Sequence, residues 1–191
     1  MKRVFQQPAK LGRALGRLWR DRRGIEAIEF AMIGPVLIFA TIGTLELGLA
    51  IFDYHRAGEA TRRGARMAVL EQPIASLDNL KDAKVACKAS GTSVSCTGGS
   101  VESAASFTAI VDAMREMMPT LARANVEVAY APSTVISDDT AGLVTPLVTV
   151  SIAGYEHPFA LLGVVPGVSD TITFPPFSTT LLAPSQTVPV D

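Results

Sequence analysis

Between Phe30 and Phe52 the chain reads FAMIGPVLIFATIGTLELGLAIF, 23 residues in which Glu46 is the only charge. At about 1.5 Å per residue a helix of that length covers roughly 34 Å, against a hydrocarbon core of about 30 Å, so it can span a bilayer. Gly34-Pro35, near its start, should kink or loosen the helix, which membrane helices tolerate better than soluble ones. The polar stretch that follows, Asp53–Leu70, contains no breaker stronger than Gly58 and Gly64. The same helix is therefore expected to continue outward to about Leu70, with Pro73 just beyond its end. A short helix is expected over Ser76–Ala86. Ser103–Leu121 places Phe107, Ile110, Val111, Met114, Met117 and Met118 at helical spacing, with Glu102 near its start and Arg115 toward its end. After it the period changes to two: NVEVAYA (Asn125–Ala131), LVTPLVTVSIAGY (Leu143–Tyr155) and DTITFPPFSTTLLA (Asp170–Ala183) predict strands. Pro146 and Pro175-Pro176 should fall at edges or bulges, because proline cannot donate to a ladder. The pattern as a whole predicts an α+β chain. A long N-terminal transmembrane helix, 25–70 with its span at about 30–52, extends into a small domain over 71–191 with a second helix and an antiparallel sheet of three or four strands.

Charge adds a direction. The net charge of −1 hides a basic head: residues 1–24 hold Lys2, Arg3, Lys10, Arg13, Arg17, Arg20, Arg22 and Arg23 against Asp21, which is +7, leaving −8 for the rest. Nucleic acid is a poor partner for a basic head that adjoins an apolar span and an acidic remainder. A cleaved secretory signal also begins with basic and then apolar residues, but its apolar region needs only about 7–15 residues before a small-residue site. Here Gly48–Ala50 lies too deep in the run. Eight Lys/Arg precede the span, whereas Arg56, Arg62, Arg63 and Arg66 follow it, so the positive-inside bias favours a cytoplasmic N-terminus and a periplasmic domain.

The two cysteines, Cys87 and Cys96 in CKASGTSVSC, are the only ones in the chain. In an oxidising compartment they would close a small loop worth on the order of 2–3 kcal/mol. Two unrelated buried thiols are the alternative. A metal site is not expected, because His55 and His157 are the only histidines and neither shows ligand spacing with the cysteines. No nucleophile elbow or phosphate-binding glycine loop occurs, and Asp138-Asp139 reads as a solvated turn. We expect neither an enzyme nor a cofactor, although the sequence leaves either histidine open to a Ser-His-acid device.

Two glutamates, Glu26 and Glu29, stand at the mouth of the span, where a charge is costly unless paired or held near the interface. They lie within RRGIEAIEFAMIGPVL. Basic residues ending in glycine, then an apolar stretch with a glutamate five residues after that glycine and an aromatic next to it, resemble the class III signal cut by prepilin peptidases. With the basic head, the span and the Cys-bearing exterior, the chain resembles the TadE-like family, minor pseudopilins of tight-adherence (Flp) pilus systems. The resemblance implies processing between Gly24 and Ile25, with Glu29 and Phe30 as assembly residues, and a leader of residues 1–24 removed. Partners would be a prepilin peptidase, other pilin or pseudopilin subunits, inner-membrane assembly proteins and lipid. The location implied is the bacterial inner membrane, with possible incorporation into an extracellular pilus. Glu29 would pair with the ammonium created at Ile25. Glu26 is not required by the pattern. The bland alternative leaves both glutamates among lipid head groups, partnered by Arg22 and Arg23. A function of a different class also stays open: an uncleaved single-pass membrane protein whose periplasmic domain binds a ligand or partner.

Overall fold

The structure, a computed structural model, describes residues 22–78, 80, 84–138, 143–164, 167–184 and 186–187. Most of the basic leader and Asp139 lie outside them. The long helix α1 runs Arg22–Leu70. It is followed by strands β1 (Val85–Ser90) and β2 (Ser93–Thr97), helix α2 (Ala104–Met117), then β3 (Val126–Asp138), β4 (Leu143–Ile152), β5 (Glu156–Pro158), β6 (Thr171–Thr173), β7 (Phe177–Leu182) and β8 (Gln186–Thr187). The described residues fall into two compact units divided between Leu47 and Gly48.

In the first unit the chain is helical and its large apolar side chains face outward, Phe30 at 77% exposure and Leu37 at 64%. A core helix of a soluble protein would be mostly buried, whereas the most apolar stretch of α1 is 11% buried. This one apolar helix fits a single-pass membrane protein. Its hydroxyls are satisfied within the helix: Thr41 Oγ1 donates to the Leu37 carbonyl and Thr44 Oγ1 to that of Ala40, each at 2.8 Å. Such bonds are what hydrocarbon demands of a polar group. Pro35 is accommodated inside the helix.

In the second unit the sheet has the order β2-β1-β3-β4-β7, antiparallel throughout, and β8 pairs with the outer part of β4. It is wider than the three or four strands expected. The added pair is the hairpin β1–β2, built from the stretch read as a cysteine loop. Its connection is Gly91-Thr92, with Gly91 at φ +62. Positive φ at the first turn position alone is the type II′ geometry that matches strand twist, and glycine adopts it without strain. Of the helix expected over Ser76–Ala86, residues 79 and 81–83 lie outside the described residues, and none of the described ones is helical: Asp78 and Leu80 lie in turns and Val85 already begins β1. At its start tertiary context overrides propensity, because Ala75 bridges to Val101 and the Ser76 amide donates to the Ser100 carbonyl, holding those two residues extended. The third strand run is also divided. Pro175-Pro176 separate β6, which pairs only with β5, from β7. Pro146 pairs opposite Pro132, beside the register shift that interrupts the β3–β4 ladder, as a proline in a strand requires.

Helix α2 begins where the Ser103 hydroxyl accepts from the Ser106 amide and stops at Met118, one residue before Pro119. Its Phe107, Ile110, Val111 and Met114 meet Val85, Val126, Val128, Val148 and Val150 of the sheet and the outer part of α1 in one core. Met117 is the exception in the methionine stripe, at 37% exposure. Within this unit α1 presents a face of small residues, with Ala57, Ala60 and Ala65 fully buried. Gly64 completes that face: a Cβ there would sit 2.7 Å from Met114 Cγ and 3.2 Å from Val150 Cγ1. Glycine inside a helix costs about 1 kcal/mol relative to alanine, so close packing is what favours it here. Gly64→Val is expected to destabilise this unit by about 2–3 kcal/mol through overpacking, read as a lower melting temperature of the detergent-solubilised chain. An unchanged melt would mean that the α1–α2 contact is looser than described.

Tyr130 is 2% exposed, and its hydroxyl accepts from the Ile74 amide at 3.1 Å. Burial pushes its ionisation above the ordinary value of 10.0, with the Ile74 hydrogen bond opposing in part. Because the folded value is raised, the unfolded chain loses this proton first. The contribution is intact below about pH 10 and is lost as pH rises through the folded value. Tyr130→Phe should cost about 1 kcal/mol at neutral pH, from the orphaned amide. It should also flatten the alkaline fall in stability measured by denaturant melts, and an equally steep fall would assign that fall to another group.

Candidate functional site

At the start of α1, Gly24, Ile25, Glu26, Glu29 and Phe30 are all helical and all exposed, Ile25 at 63%. Helical geometry puts Ile25 and Glu29, four residues apart, on one face about one turn from each other. Glu26 adjoins Ile25 in sequence and therefore points away from it. Nothing lies within 4 Å of a Cβ added at Gly24, so the fold itself does not call for glycine there. Glu46, the acid inside the apolar run, is buried at 8% exposure. The processing and assembly residues named from the sequence, Gly24, Ile25, Glu29 and Phe30, thus lie together at one helix end, where the apolar run starts.

The structure assembles a second constellation that the sequence did not reveal. Asp53, the first charge after the apolar run, accepts at Oδ2 from His157 Nδ1 at 2.8 Å and from the Tyr155 hydroxyl at 3.5 Å. The Tyr155 hydroxyl also lies 3.1 Å from Thr120 Oγ1. The imidazole stacks on Phe174, 8° from parallel, and meets Phe159 edge-on. Tyr54 packs edge-on against Phe174 and Phe177. His157, left open as a catalytic candidate, here ties β5 to α1 through a carboxylate between aromatic rings. Asp53 and His157 stand 104 positions apart, and neither lies in a recognisable motif, so only the fold could bring them together. His55 touches Tyr54 edge-on.

Cys87 and Cys96 are joined by a disulfide, with Cα atoms 4.1 Å apart. They are directly opposed residues of β1 and β2, and the antiparallel ladder sets that short separation. Cys87 is fully buried, so the bridge fastens the edge strand to the core. Replacing both by alanine is expected to cost on the order of 2–3 kcal/mol. The effect should appear as faster proteolysis of the detergent-solubilised chain. Equal protease resistance would show that the hairpin is held by its ladder alone.

Residues 24–66 match the family model described as TadE-like protein. Neither the curated proteins nor the solved structures yield a match. The family match opens at Gly24 and ends within the outer part of α1, so it takes in the exposed glutamates, the whole apolar run and Asp53, and leaves the sheet outside it. The resemblance read from the residues around Gly24 thus coincides with the family match, and the stretch similar to the TadE-like model, residues 24–66, is less than half of the chain.

Proposed function

We propose that the chain is a minor pilin-like subunit, a pseudopilin, of a bacterial tight-adherence (Flp) pilus or related type II secretion machine. It is inserted as a precursor and trimmed between Gly24 and Ile25 by a prepilin peptidase. The observation that carries this reading is the position of the family match, which opens at Gly24, at the head of an exposed apolar helix bearing Glu29 one turn later. In this reading α1 is held in the inner membrane with its start on the cytoplasmic side, and the disulfide-bearing domain is periplasmic. The role is structural and needs no cofactor: the new ammonium at Ile25 and the Glu29 carboxylate direct packing among apolar helices, and the exterior domain presents surface to other subunits. N-terminal sequencing of the protein extracted from its native membrane is the test. A start at Ile25 is expected; a start at Met1 would favour the uncleaved single-pass protein with a binding domain.

A further inference from the structure

We propose that the chain joins a second copy of itself head to tail, the free edge of β2 in one copy pairing in parallel with the free edge of β7 in the next, so that one sheet continues into another. The inference deepens the subunit reading and rests on it: a fibre subunit needs two different surfaces that fit each other, whereas a two-fold contact closes a pair. β2 and β7 are the two ends of the main sheet, and among the described residues no further strand pairs with either. Four successive antiparallel pairings bring β7 back to the direction of β2. Copies set side by side in one orientation therefore present these edges to each other as parallel strands.

The backbone groups of the two edges fit that pairing. Opposed residues of an antiparallel pair alternate between hydrogen-bonded, with Cα atoms about 5.5 Å apart, and non-hydrogen-bonded, at about 4.5 Å. Cys87 and Cys96, at 4.1 Å, are of the second kind. Counting along the register from the Ser90–Ser93 pair that closes the turn gives the same phase. The N–H and C=O groups of Val94 and Cys96 thus point away from β1, off the sheet. Carried across by the registers Cys87–Val128, Val128–Val150 and Val150–Thr179, the alternation turns Thr179 toward β4 and leaves Ser178, Thr180 and Leu182 facing outward. With Val94 opposite Thr179 and Cys96 opposite Leu181, β2 overlaps β7 over its whole length. The Val94 N–H then meets the Ser178 carbonyl, the Thr180 N–H the Val94 carbonyl, the Cys96 N–H the Thr180 carbonyl and the Leu182 N–H the Cys96 carbonyl, the slanted pattern of a parallel ladder. The faces agree in the same register. Val94, Cys96 and Leu181 are the half-buried margin of the core and fall on one side, while Ser95 and Thr180, both exposed, fall opposite each other on the other.

Neither edge carries the devices that usually prevent such pairing, which are charge, proline or a bulge. β2 (SVSCT) and β7 (FSTTLL) are uncharged, free of proline and in continuous register with their neighbours. Lys88 and Glu127, charges of the open face, stand on the inner strands β1 and β3 and pair at 2.9 Å. The edges themselves offer hydroxyls, which bond across strands, and bring no like charges together.

The test is a zero-length carbodiimide link, which couples a carboxylate to an amine in contact with it. Full-length chains carrying Ser95→Glu or Thr180→Lys, with tags of different size, are expressed together in the native host and linked in its membranes. Ser95→Glu stands opposite Lys88, so the fold accepts it. A peptide joining position 95 of one chain to position 180 of the other is the expected product, identified by mass spectrometry. Adding Val94→Pro to the first chain removes an outward N–H and none that β1 uses; it should lower the yield of that peptide about tenfold, with the Cys87–Cys96 bridge intact as the check on the fold. An unchanged yield would overturn the proposal. So would a link between Ser95→Glu and Ser95→Lys chains without the 95–180 product, which would assign the edge to a two-fold β2 pair, and so would the absence of both links. The same preparation is sequenced from its N-terminus: a start at Ile25 without the 95–180 product would sink the edge contact and leave the subunit reading standing.

Discussion

If the chain is trimmed after Gly24 as proposed, Gly24→Val is expected to abolish that trimming while leaving membrane insertion and the fold of the sheet-bearing domain unchanged. The argument turns on what valine can and cannot disturb. Within the chain, an added side chain at Gly24 meets nothing within 4 Å and the backbone there is ordinary helix. Valine has a better helix propensity than glycine, so the precursor gains a few tenths of a kcal/mol in that turn if anything. A protease that cuts next to this residue must bring its cleft onto the backbone, and a branched side chain blocks that approach. Structural indifference in the substrate and intolerance in the protease make the variant diagnostic. The readout is the size and N-terminal residue of the membrane-extracted protein when a prepilin peptidase is co-expressed. A species beginning at Ile25 in the variant would remove Gly24 from the processing site. A precursor that fails to reach the membrane would instead show that the residue serves insertion.

How much of this was legible in the sequence differs between the two halves of the chain, for physical reasons. In the N-terminal half a long apolar run leaves little ambiguity. Twenty-three residues with one charge can do few things, and the glutamates at its mouth call attention to themselves because charge there is costly. In the sheet-bearing part short-range signals compete with contacts from afar. The stretch Ser76–Ala86 has helical composition, but the backbone partners of Ala75 and Ser76 at its start are Val101 and Ser100, and no local pattern announces them. Serine and glycine mark the cysteine segment as a loop, although two residues, Gly91 and Thr92, suffice to turn it. The alanines of α1 are weak signals in sequence, yet their small size is what lets the helix lie close to the sheet. The Asp53–His157 tie was beyond reach for the same reason as most side-chain constellations: its members are brought together by topology and not by spacing.

Glu29→Ala is expected to reduce surface pili by more than about tenfold while trimming continues, and Glu26→Ala to have a much smaller effect. In a chain trimmed as proposed to begin at Ile25, the terminal ammonium would belong to an apolar helix that no longer carries Arg22 and Arg23. Leaving one partner of a buried ion pair without the other costs about 3–5 kcal/mol, and about 1.4 kcal/mol already changes an equilibrium tenfold. Only a carboxylate on the right face can answer that charge. Glu29 is four residues from Ile25 and faces it along the helix, whereas Glu26 is the adjacent residue and does not. In the precursor Glu26 stands three and four residues after Arg23 and Arg22, the spacing of a helical ion pair that trimming would remove. The two substitutions therefore separate the readings that the sequence left open. If both glutamates serve only as polar groups among lipid heads, they are interchangeable, and alanine at either position should change pilus number equally little. If the ammonium at Ile25 needs its own carboxylate, pili counted by electron microscopy should be scarce in Glu29→Ala and near normal in Glu26→Ala. Blotting for the trimmed species in both strains excludes a processing defect as the cause.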